Sequence, residues 1–193
     1  ATAPATQPAP TASASASGEA AMSGGYQIGP DGILVRPTEH AADTYTKPEL
    51  PEEAKENTER GAEAAAEHYL ALLTYAWNTG DTEPFADMSS PTSEFANGYI
   101  NDIDERYANG WTYGLESKVT QILALKPLDA NGTDIPEGSV LVKYRIESFD
   151  GTTCVNKNTR TSSKHYQSTF TLVMTWSDGR WKETQGRIIS DNE

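Results

Sequence analysis

The sequence predicts an α+β domain in which helices come first and a four-stranded antiparallel sheet follows. Apolar residues recur at helical spacing between residues 51 and 108, and the spacing changes to simple alternation after Gly110. The first 25 residues are almost entirely Ala, Pro, Ser, Thr and Gly, which bury too little apolar surface to offset the entropy lost on ordering. We therefore expect a disordered tether over residues 1–25, an extended segment over 26–46 that can pack on the domain, and the domain itself over 47–193.

The formal net charge of −13 is concentrated in one part of the 193-residue chain. Residues 1–46 carry −3, residues 47–110 carry −10, and residues 111–193 are neutral. Such an acidic chain lacks the basic surface that sequence-independent nucleic-acid binding requires, which excludes that class of function. No apolar run reaches the roughly 18 residues of a membrane-spanning helix. We expect a working surface on the neutral sheet half or in the cleft between the two halves.

Three helices are predicted in the first half of the domain. The first spans residues 51–78, with a proline at its first position and acids in its first turns, where they suit the helix dipole. Gly80 ends this helix, and Asp81 caps a short second helix over residues 82–88. A third helix covers residues 93–108. The apolar stripe of the first helix consists of Ala62, Ala66, Tyr69, Leu70, Leu73 and Trp77, and that of the third of Phe95, Tyr99, Ile103 and Tyr107.

Four strands are predicted after the helices, over residues 111–125, 139–149, 165–176 and 180–189. A Ser-Asp-Gly turn joins the last two strands into a hairpin. Between the second and third strands, residues 150–164 are predicted as a loop rich in Thr, Asn and Lys. In the second strand, Val140, Val142, Tyr144 and Ile146 face one side, and Lys143, Arg145 and Glu147 face the other.

The sequence contains no recognisable catalytic or cofactor motif. A nucleophile elbow, a phosphate-binding glycine loop and a His-Glu-x-x-His pair are all missing, so we predict no catalytic residue, no metal and no cofactor. His68 lies one step off the apolar stripe, which favours a surface position, and His165 is expected to be exposed as well. The single cysteine, Cys154, excludes an intrachain disulfide, and no neighbouring base is evident that would activate its thiol.

Inward-facing aromatic residues define the candidate site. As core side chains they need no further explanation, but a cleft between helices and a curved sheet lined by such residues is also typical of a small-ligand pocket. The candidate lining residues are Tyr69, Leu73, Trp77, Tyr107, Tyr144, Tyr166 and Phe170. If the domain is an enzyme, Asp81 is the candidate acid and Tyr69 or Tyr144 the alternative acid or base. Helix capping is the simpler explanation of Asp81.

Several segments resemble a known family. They are Lys47-Pro48-Glu49-Leu50-Pro51, residues 54–58 with Gly61-Ala62, residues 69–70, Leu-Thr-Tyr-Ala-Trp-Asn-Thr-Gly-Asp at 73–81, Ser89-Ser90-Pro91, Tyr107 and Gly110-Trp111. Together, and over residues 45–190, they resemble an uncharacterised family of actinobacterial cell-surface lipoproteins. The resemblance implies a fold like nuclear transport factor two, a cystatin-like cone of helices wrapped by a curved sheet, with no assigned activity.

The same resemblance implies a place in the cell. It suggests export and a lipid-anchored position on the extracellular face of the cytoplasmic membrane, with the anchor cysteine upstream of residue 1. On composition alone, residues 1–25 also fit an ordinary flexible tail. Family members often carry a Cys-x-x-Cys pair where this chain has Ser93 and Ala96. A disulfide or redox role of that pair therefore does not carry over to this chain.

Three functions follow as hypotheses. The first is a non-catalytic envelope module that binds a small ligand or an envelope protein. The second is an isomerase or dehydratase-like enzyme that uses a buried carboxylate or tyrosine in the cone cleft, which rests on fold analogy. The third is a homodimer through the outer sheet face. That face would carry Lys143, Arg145, Glu147, Glu183 and Arg187, although cross-strand ion pairs on a solvated sheet explain the same residues.

Overall fold

The computed structural model describes residues 24–191, so the predicted tether lies outside the described residues except for its last two positions. Within this range the helical half precedes the sheet half, as the change in spacing predicts. The helices are α1 (Glu59–Thr79), α2 (Glu83–Asp87) and α3 (Glu94–Asn109), with 3₁₀ turns at Thr38–His40, Ala42–Thr44 and Glu52–Lys55. The strands are β1 (Gly110–Tyr113), β2 (Glu116–Pro127), β3 (Ser139–Phe149), β4 (Thr152–Val155), β5 (Asn158–Thr161), β6 (Tyr166–Ser177) and β7 (Arg180–Ser190).

The first long helix begins at Glu59, so the predicted start at residue 51 is wrong. The acidic segment Glu52–Lys55 forms a separate 3₁₀ turn that packs against α1. Thr58 caps α1, because its Oγ1 accepts a hydrogen bond from the N–H of Gly61 at 3.0 Å. A Cβ at Gly61 would lie 2.0 Å from a backbone oxygen of the preceding turn. The chain can therefore fold back over the start of α1 only where a side chain is missing.

This folded-back segment also explains the position of His68. The residue was expected on the surface, but it is only 8% exposed, so that prediction is wrong. The 3₁₀ turn Glu52–Lys55 packs against the helix and contributes to covering a face that helical spacing alone would leave to solvent. Burial lowers the pKa of His68 below its ordinary value, since it disfavours the charged imidazolium.

The strands form two antiparallel sheets and not a single one. The larger sheet has the order β2-β3-β6-β7 and the smaller has the order β1-β4-β5. The predicted single strand over 111–125 is wrong, because the chain turns at Gly114 (φ 69°) and leaves β1 for β2. The predicted loop over 150–164 is also wrong, since β4 and β5 form a hairpin there, with Asn156 in a left-handed turn conformation.

The main core lies between the helices and one face of the larger sheet. The inward alternation predicted for β3 is confirmed, and its inward side chains join those of α1 and β6 in the core. These residues include Tyr69, Leu70, Leu73, Val142, Tyr144, Ile146, Phe170 and Leu172. On the opposite face of β3, Glu147 pairs with Lys118 of β2 at 2.9 Å. Register shifts in β2 mark bulges, which bend a strand and increase its twist.

A bulge in β7 changes which side chains face the core. Glu183 and Gln185 pair with consecutive residues of β6, so Thr184 is the extra residue. Before the bulge Glu183 points inward and is 0% exposed, whereas Arg187 beyond the bulge is exposed. The prediction that Glu183 and Arg187 share the outer sheet face is therefore wrong. Strict alternation would keep these two residues on one side, and the inserted residue breaks it.

A second, smaller core forms where the chain ahead of α1 crosses the small sheet. Leu34 is 1% exposed and packs with Trp111 and Cys154. The Trp111 indole N–H donates to the carbonyl oxygen of Leu34 at 2.6 Å, and the N–H of Leu34 donates to the carbonyl oxygen of Asn156 at 3.0 Å. Cys154, expected in an open loop, is buried beneath this segment. Among the described residues, no helix is both long enough and apolar enough to cross a membrane.

Candidate functional site

A cleft of about 360 Å³ lies between α1, α3 and the two sheets. Its floor is apolar. Leu70, Leu73 and Trp77 come from α1, Ile146 from β3 and Ile188 from β7. Three of these, Leu70, Leu73 and Ile146, are also buried members of the main core, so the cleft rests on packed side chains. Its volume lies within the range typical of small-molecule sites.

The start of β2 at the edge of the cleft is fixed by a buried amide. Asn78, near the end of α1, accepts the N–H of Leu115 through Oδ1 at 2.9 Å. Its Nδ2 donates to the carbonyl oxygen of the same residue at 2.8 Å. Leu115 lines the cleft and directly precedes β2. These two hydrogen bonds therefore fix the start of β2 relative to the end of α1. The Asn-Thr-Gly-Asp block after the apolar stripe thus positions one wall of the cleft.

The other walls are polar. Tyr166 donates a hydrogen bond to Oδ1 of Asp150 at 2.6 Å, and burial raises the pKa of its phenol above the ordinary value. The hydroxyl groups of Ser117 and Ser148 lie 2.9 Å apart. The remaining small hydroxyl side chains that line the cleft are Thr74, Thr112, Thr153, Ser162 and Ser168. A ligand on the apolar floor would therefore meet hydrogen-bonding groups above it.

Charge is distributed in the cleft differently from the rest of the chain. The charged lining residues are Arg106 on α3, Arg160 on β5 and Asp150, a net charge of +1 in a chain whose net charge is −13. Neither arginine takes part in an ion pair with another residue of 24–191. Arg160 and Asp150 are exposed and mark the mouth of the cleft, whereas Ser168, also in the lining, is buried.

Two buried polar atoms in the cleft lining have no hydrogen-bond partner. They are Nε of Arg106 and Oγ1 of Thr112. Leaving a buried polar group unpaired costs about 1–3 kcal/mol, and more where the group is charged. Native proteins leave few such groups, so both positions call for an explanation.

A comparison with sequence models of protein families assigns the chain to a family. The model for a family of unknown function (DUF6318) matches residues 37–186. The chain belongs to the DUF6318 family. No curated protein matches this DUF6318 chain.

Solved structures similar to this DUF6318 chain have low sequence identity to it. The intermembrane space region of the chloroplast protein ARC6 is 17% identical, with a TM-score of 0.48, covering 69% of this chain and 98% of its own. A Caulobacter vibrioides protein described as having a cystatin-like fold is 13% identical, with a TM-score of 0.45, over 68% and 91%. An NTF-2-like protein of unknown function from Shewanella oneidensis is 16% identical, with a TM-score of 0.37, over 65% and 97%.

The DUF6318 domain separates the predicted lining residues into two groups. Leu73, Trp77 and Tyr166 line the cleft. Tyr69, Tyr144 and Phe170 are buried in the core, outside the cleft lining. The Tyr144 hydroxyl donates to the carbonyl oxygen of Glu63 at 2.6 Å, which satisfies its polar group without a ligand. Helical and strand spacing identifies an inward side chain, but it does not say whether a second layer covers that side chain.

Tyr107 lies behind the cleft wall and not in its lining. Its hydroxyl is 2.9 Å from the carbonyl oxygen of Trp77 and 3.1 Å from that of Thr112, and it accepts from Nη1 of Arg36 at 3.2 Å. Arg36 also donates to the carbonyl oxygen of Asn78 at 2.7 Å. Tyr107 therefore joins α1, β1 and the chain ahead of α1 behind the cleft.

Asp81 lies at the surface, away from the cleft. Its Oδ1 accepts the N–H of Glu83 at 3.2 Å and its Oδ2 accepts the Tyr75 hydroxyl at 3.4 Å. The first contact is a local turn ahead of α2, whose N-cap is Thr82 without a side-chain cap hydrogen bond, so the prediction that Asp81 caps this helix is wrong. Asp81 is exposed and lies in a separate hollow that also includes His68 and Arg180.

Glu183 is a buried carboxyl group that the sequence pattern did not single out. Its Oε1 accepts the Ser93 hydroxyl at 2.9 Å, and its Oε2 accepts the Tyr69 hydroxyl at 3.1 Å. Burial raises its pKa to about 7, although both hydrogen bonds favour the charged form. Glu183 is not part of the cleft lining. Its two hydrogen bonds tie β7 to α1 and to Ser93 at the start of α3. Its shared parity with buried Trp181 was the signal that could have found it.

The metal-ligating side chains are dispersed. Among residues 24–191, no group of three or more His, Cys, Asp or Glu side chains is placed to hold a metal ion. His165 is exposed, stacks on Phe149 with ring centroids 5.0 Å apart, and has Nδ1 3.8 Å from Glu147. The contacts of His165 are those of a surface side chain.

Proposed function

We propose that this DUF6318 domain is a non-catalytic module that binds a small amphipathic molecule in the cleft. The observation that carries the proposal is the cleft itself, about 360 Å³ bounded by an apolar floor and hydroxyl-bearing walls. An apolar pocket with a few convergent polar groups is the usual form of a small-ligand site. Tyr144 and Phe170, two of the aromatic side chains predicted to line the cleft, are packed in the core and do not occupy this space.

The side chains of the cleft support binding more than catalysis. Acid–base catalysis in such a pocket needs a carboxyl group or tyrosine that can exchange a proton with the ligand. The lining contains one carboxylate, Asp150, and it is hydrogen-bonded to Tyr166. Glu183, whose pKa is raised, is held in the core by Tyr69 and Ser93. The lining tyrosines are Tyr99 and Tyr166. Burial raises the pKa of both phenols, which makes them poor proton donors and poor sources of a base near neutral pH.

We also propose that the domain works outside the cytoplasmic membrane on a lipid-anchored tether. The support is the resemblance of its sequence to cell-surface lipoproteins, together with the low-complexity composition of residues 1–25. The acidic helical half would keep such a domain soluble and away from anionic envelope polymers. Metabolic labelling of the full-length protein with a fatty-acid analogue tests this proposal, and an unlabelled protein contradicts it.

Ligand binding in the cleft is tested by NMR titration. We expect 4-phenylbutyrate and 4-phenylbutanol, which share one apolar body, to shift the indole N–H signal of Trp77 on its floor. The variant Ser117→Phe, which fills the cleft from β2, should weaken binding at least about tenfold, because the ligand loses its volume. Thr120→Phe is the matched control on the same strand, at an exposed position outside the lining. If neither compound shifts the signals of cleft residues, the proposal is wrong.

A further inference from the structure

We infer that the cleft selects a monoanionic carboxylate, and that Arg106 and Thr112 form its head-group subsite. The inference rests on the proposed function, since it names the chemical class of the ligand for the same cleft. An apolar body attached to the carboxylate would then lie on the floor formed by Leu70, Leu73 and Ile146.

The first support is the pair of unpartnered polar atoms. Nε of Arg106 and Oγ1 of Thr112 are buried, both residues line the cleft, and neither atom has a hydrogen-bond partner. Thr112 is 0% exposed, and it stands on β1 beside the end of α3. An arginine N–H and a threonine hydroxyl are both donors, and a carboxylate offers two acceptor oxygens. A carboxylate bound beside these two residues would offer each donor an acceptor oxygen, and the hydrogen bond from Arg106 would be charge-assisted.

The second support is the uncompensated charge. Arg106 and Arg160 form no ion pair among the described residues, although Asp102 lies one helical turn before Arg106 on α3. Asp150, the single carboxylate of the lining, is already bound by the Tyr166 hydroxyl. A net charge of +1 inside a domain of strongly negative total charge is a local arrangement that favours a monoanion.

A purely structural role explains these arginines poorly. An arginine that only packs is usually held by carboxylates or by carbonyl and hydroxyl oxygens. Arg36 also has a buried Nε without a hydrogen-bond partner, but its Nη1 donates to the Tyr107 hydroxyl at 3.2 Å and its Nη2 to the carbonyl oxygen of Asn78 at 2.7 Å. Arg106 has carboxylates nearby on its own helix, yet among residues 24–191 it forms no ion pair, and its Nε has no hydrogen-bond partner. The Nε–H group of Arg106 is therefore available to a ligand in the cleft, although Arg106 also borders a separate hollow with Asp102 and Glu105.

The test compares 4-phenylbutyrate with 4-phenylbutanol by calorimetry and NMR at one ionic strength. The native domain should bind the acid at least about tenfold more tightly than the alcohol, because hydrogen bonds to a charged group are stronger than those to a neutral one. Arg106→Gln should lower the affinity for the acid about tenfold and should change the affinity for the alcohol less than about twofold. Thr112→Val, which keeps the shape and removes the hydroxyl, should reduce acid binding about threefold to tenfold.

One control and one further test variant keep the outcomes distinct. Arg187→Gln removes an exposed arginine outside the lining and should leave both affinities unchanged. Arg160→Gln changes an exposed cationic residue at the mouth, so it tests the charge even if Arg106→Gln fails to fold. If the acid and the alcohol bind equally, and Arg106→Gln, Thr112→Val and Arg160→Gln leave both affinities unaltered, the carboxylate subsite is wrong while the proposed binding function stands. Absence of binding by either compound contradicts both proposals.

Discussion

At the scale of single residues, burial and local contacts decide what each polar side chain does. Glu183, Tyr69 and Ser93 form a hydrogen-bonded group in the core, with the Tyr69 hydroxyl also 2.8 Å from that of Ser89. Backbone hydrogen bonds from Ser90 and to Met88 hold Glu183 against the segment between α2 and α3. The group therefore fastens an edge strand to the helices through a carboxyl that titrates close to neutrality.

We predict that Glu183→Gln removes part of the pH dependence of stability. The pKa of Glu183 is about 7 in the folded domain against an ordinary value of 4.5, so the folded state holds the proton more strongly. The native domain should therefore lose about 3 kcal/mol of unfolding free energy from this residue as pH rises from about 4.5 to about 8. The glutamine variant should lack that loss. Urea denaturation of both proteins across this range measures the difference.

His68 also contributes to the pH dependence of stability, and it contributes equally in both proteins. Burial lowers its pKa, so its contribution to stability is lost as pH falls, the opposite direction to Glu183. His68 is unchanged in both proteins, so its effect cancels in the difference between them. Parallel stability curves for native and variant domains would show that the ionised form of Glu183 is not disfavoured in the core.

At the scale of secondary structure, local signals fix the helices better than the strands. The third helix lies within one residue of its predicted bounds, because Ser93 caps its start and Gly110 follows its end. The hairpin β4–β5 was missed because few of its side chains are apolar, and only Cys154 and Thr152 turn inward. In the structure β4 pairs with β5 and also with β1, which is far away in sequence.

We predict opposite effects of alanine at two helix glycines. Gly80 ends α1 at φ 79°, and a Cβ there would lie 2.7 Å from the Tyr107 ring. Gly80→Ala should cost about 2 kcal/mol or more, through the left-handed backbone and the clash. Gly98 lies within α3 with nothing within 4 Å of an added Cβ, so Gly98→Ala should stabilise the domain by about 0.8 kcal/mol. Urea midpoints compare both variants, and equal effects would contradict the assigned cap.

At the scale of the whole molecule, the chain ahead of α1 completes the structure. It buries Leu34 against Trp111 and Cys154, and it sends Arg36 to the C-terminal end of α1. The small sheet thus gains a core of its own, separate from the one under the larger sheet. Burial raises the pKa of the Cys154 thiol, so the native domain should resist thiol reagents.

We predict that this second core controls access to Cys154. Leu34→Ala removes a side chain that is 1% exposed and should cost about 2–4 kcal/mol of stability. It should also speed the labelling of Cys154 by a thiol reagent at least about tenfold, because the covering segment opens more often. Val35→Ala is the control, since Val35 is 45% exposed, and should change either quantity little. Identical labelling rates in the two variants would show that the segment does not cover the thiol.

The sequence by itself determined the order of helices and strands, the inward faces of α1 and β3, and the concentration of negative charge in the helical half. These follow from spacing, capping and composition, which act between residues close along the chain. It also pointed to Leu73, Trp77 and Tyr166 as inward-facing residues. It did not single out Arg106, Thr112 or Arg160, because none of them belongs to an apolar stripe.

Only the tertiary structure decided which inward residues are sealed and which line a cleft. Tyr69 and Phe170 are covered by a second layer, whereas Arg106, Thr112 and Arg160 come together from three elements. The bulge at Thr184 and the turn at Gly114 likewise change the facing of side chains through contacts between distant strands. Such contacts depend on the free energy of the packed whole, so no local pattern encodes them.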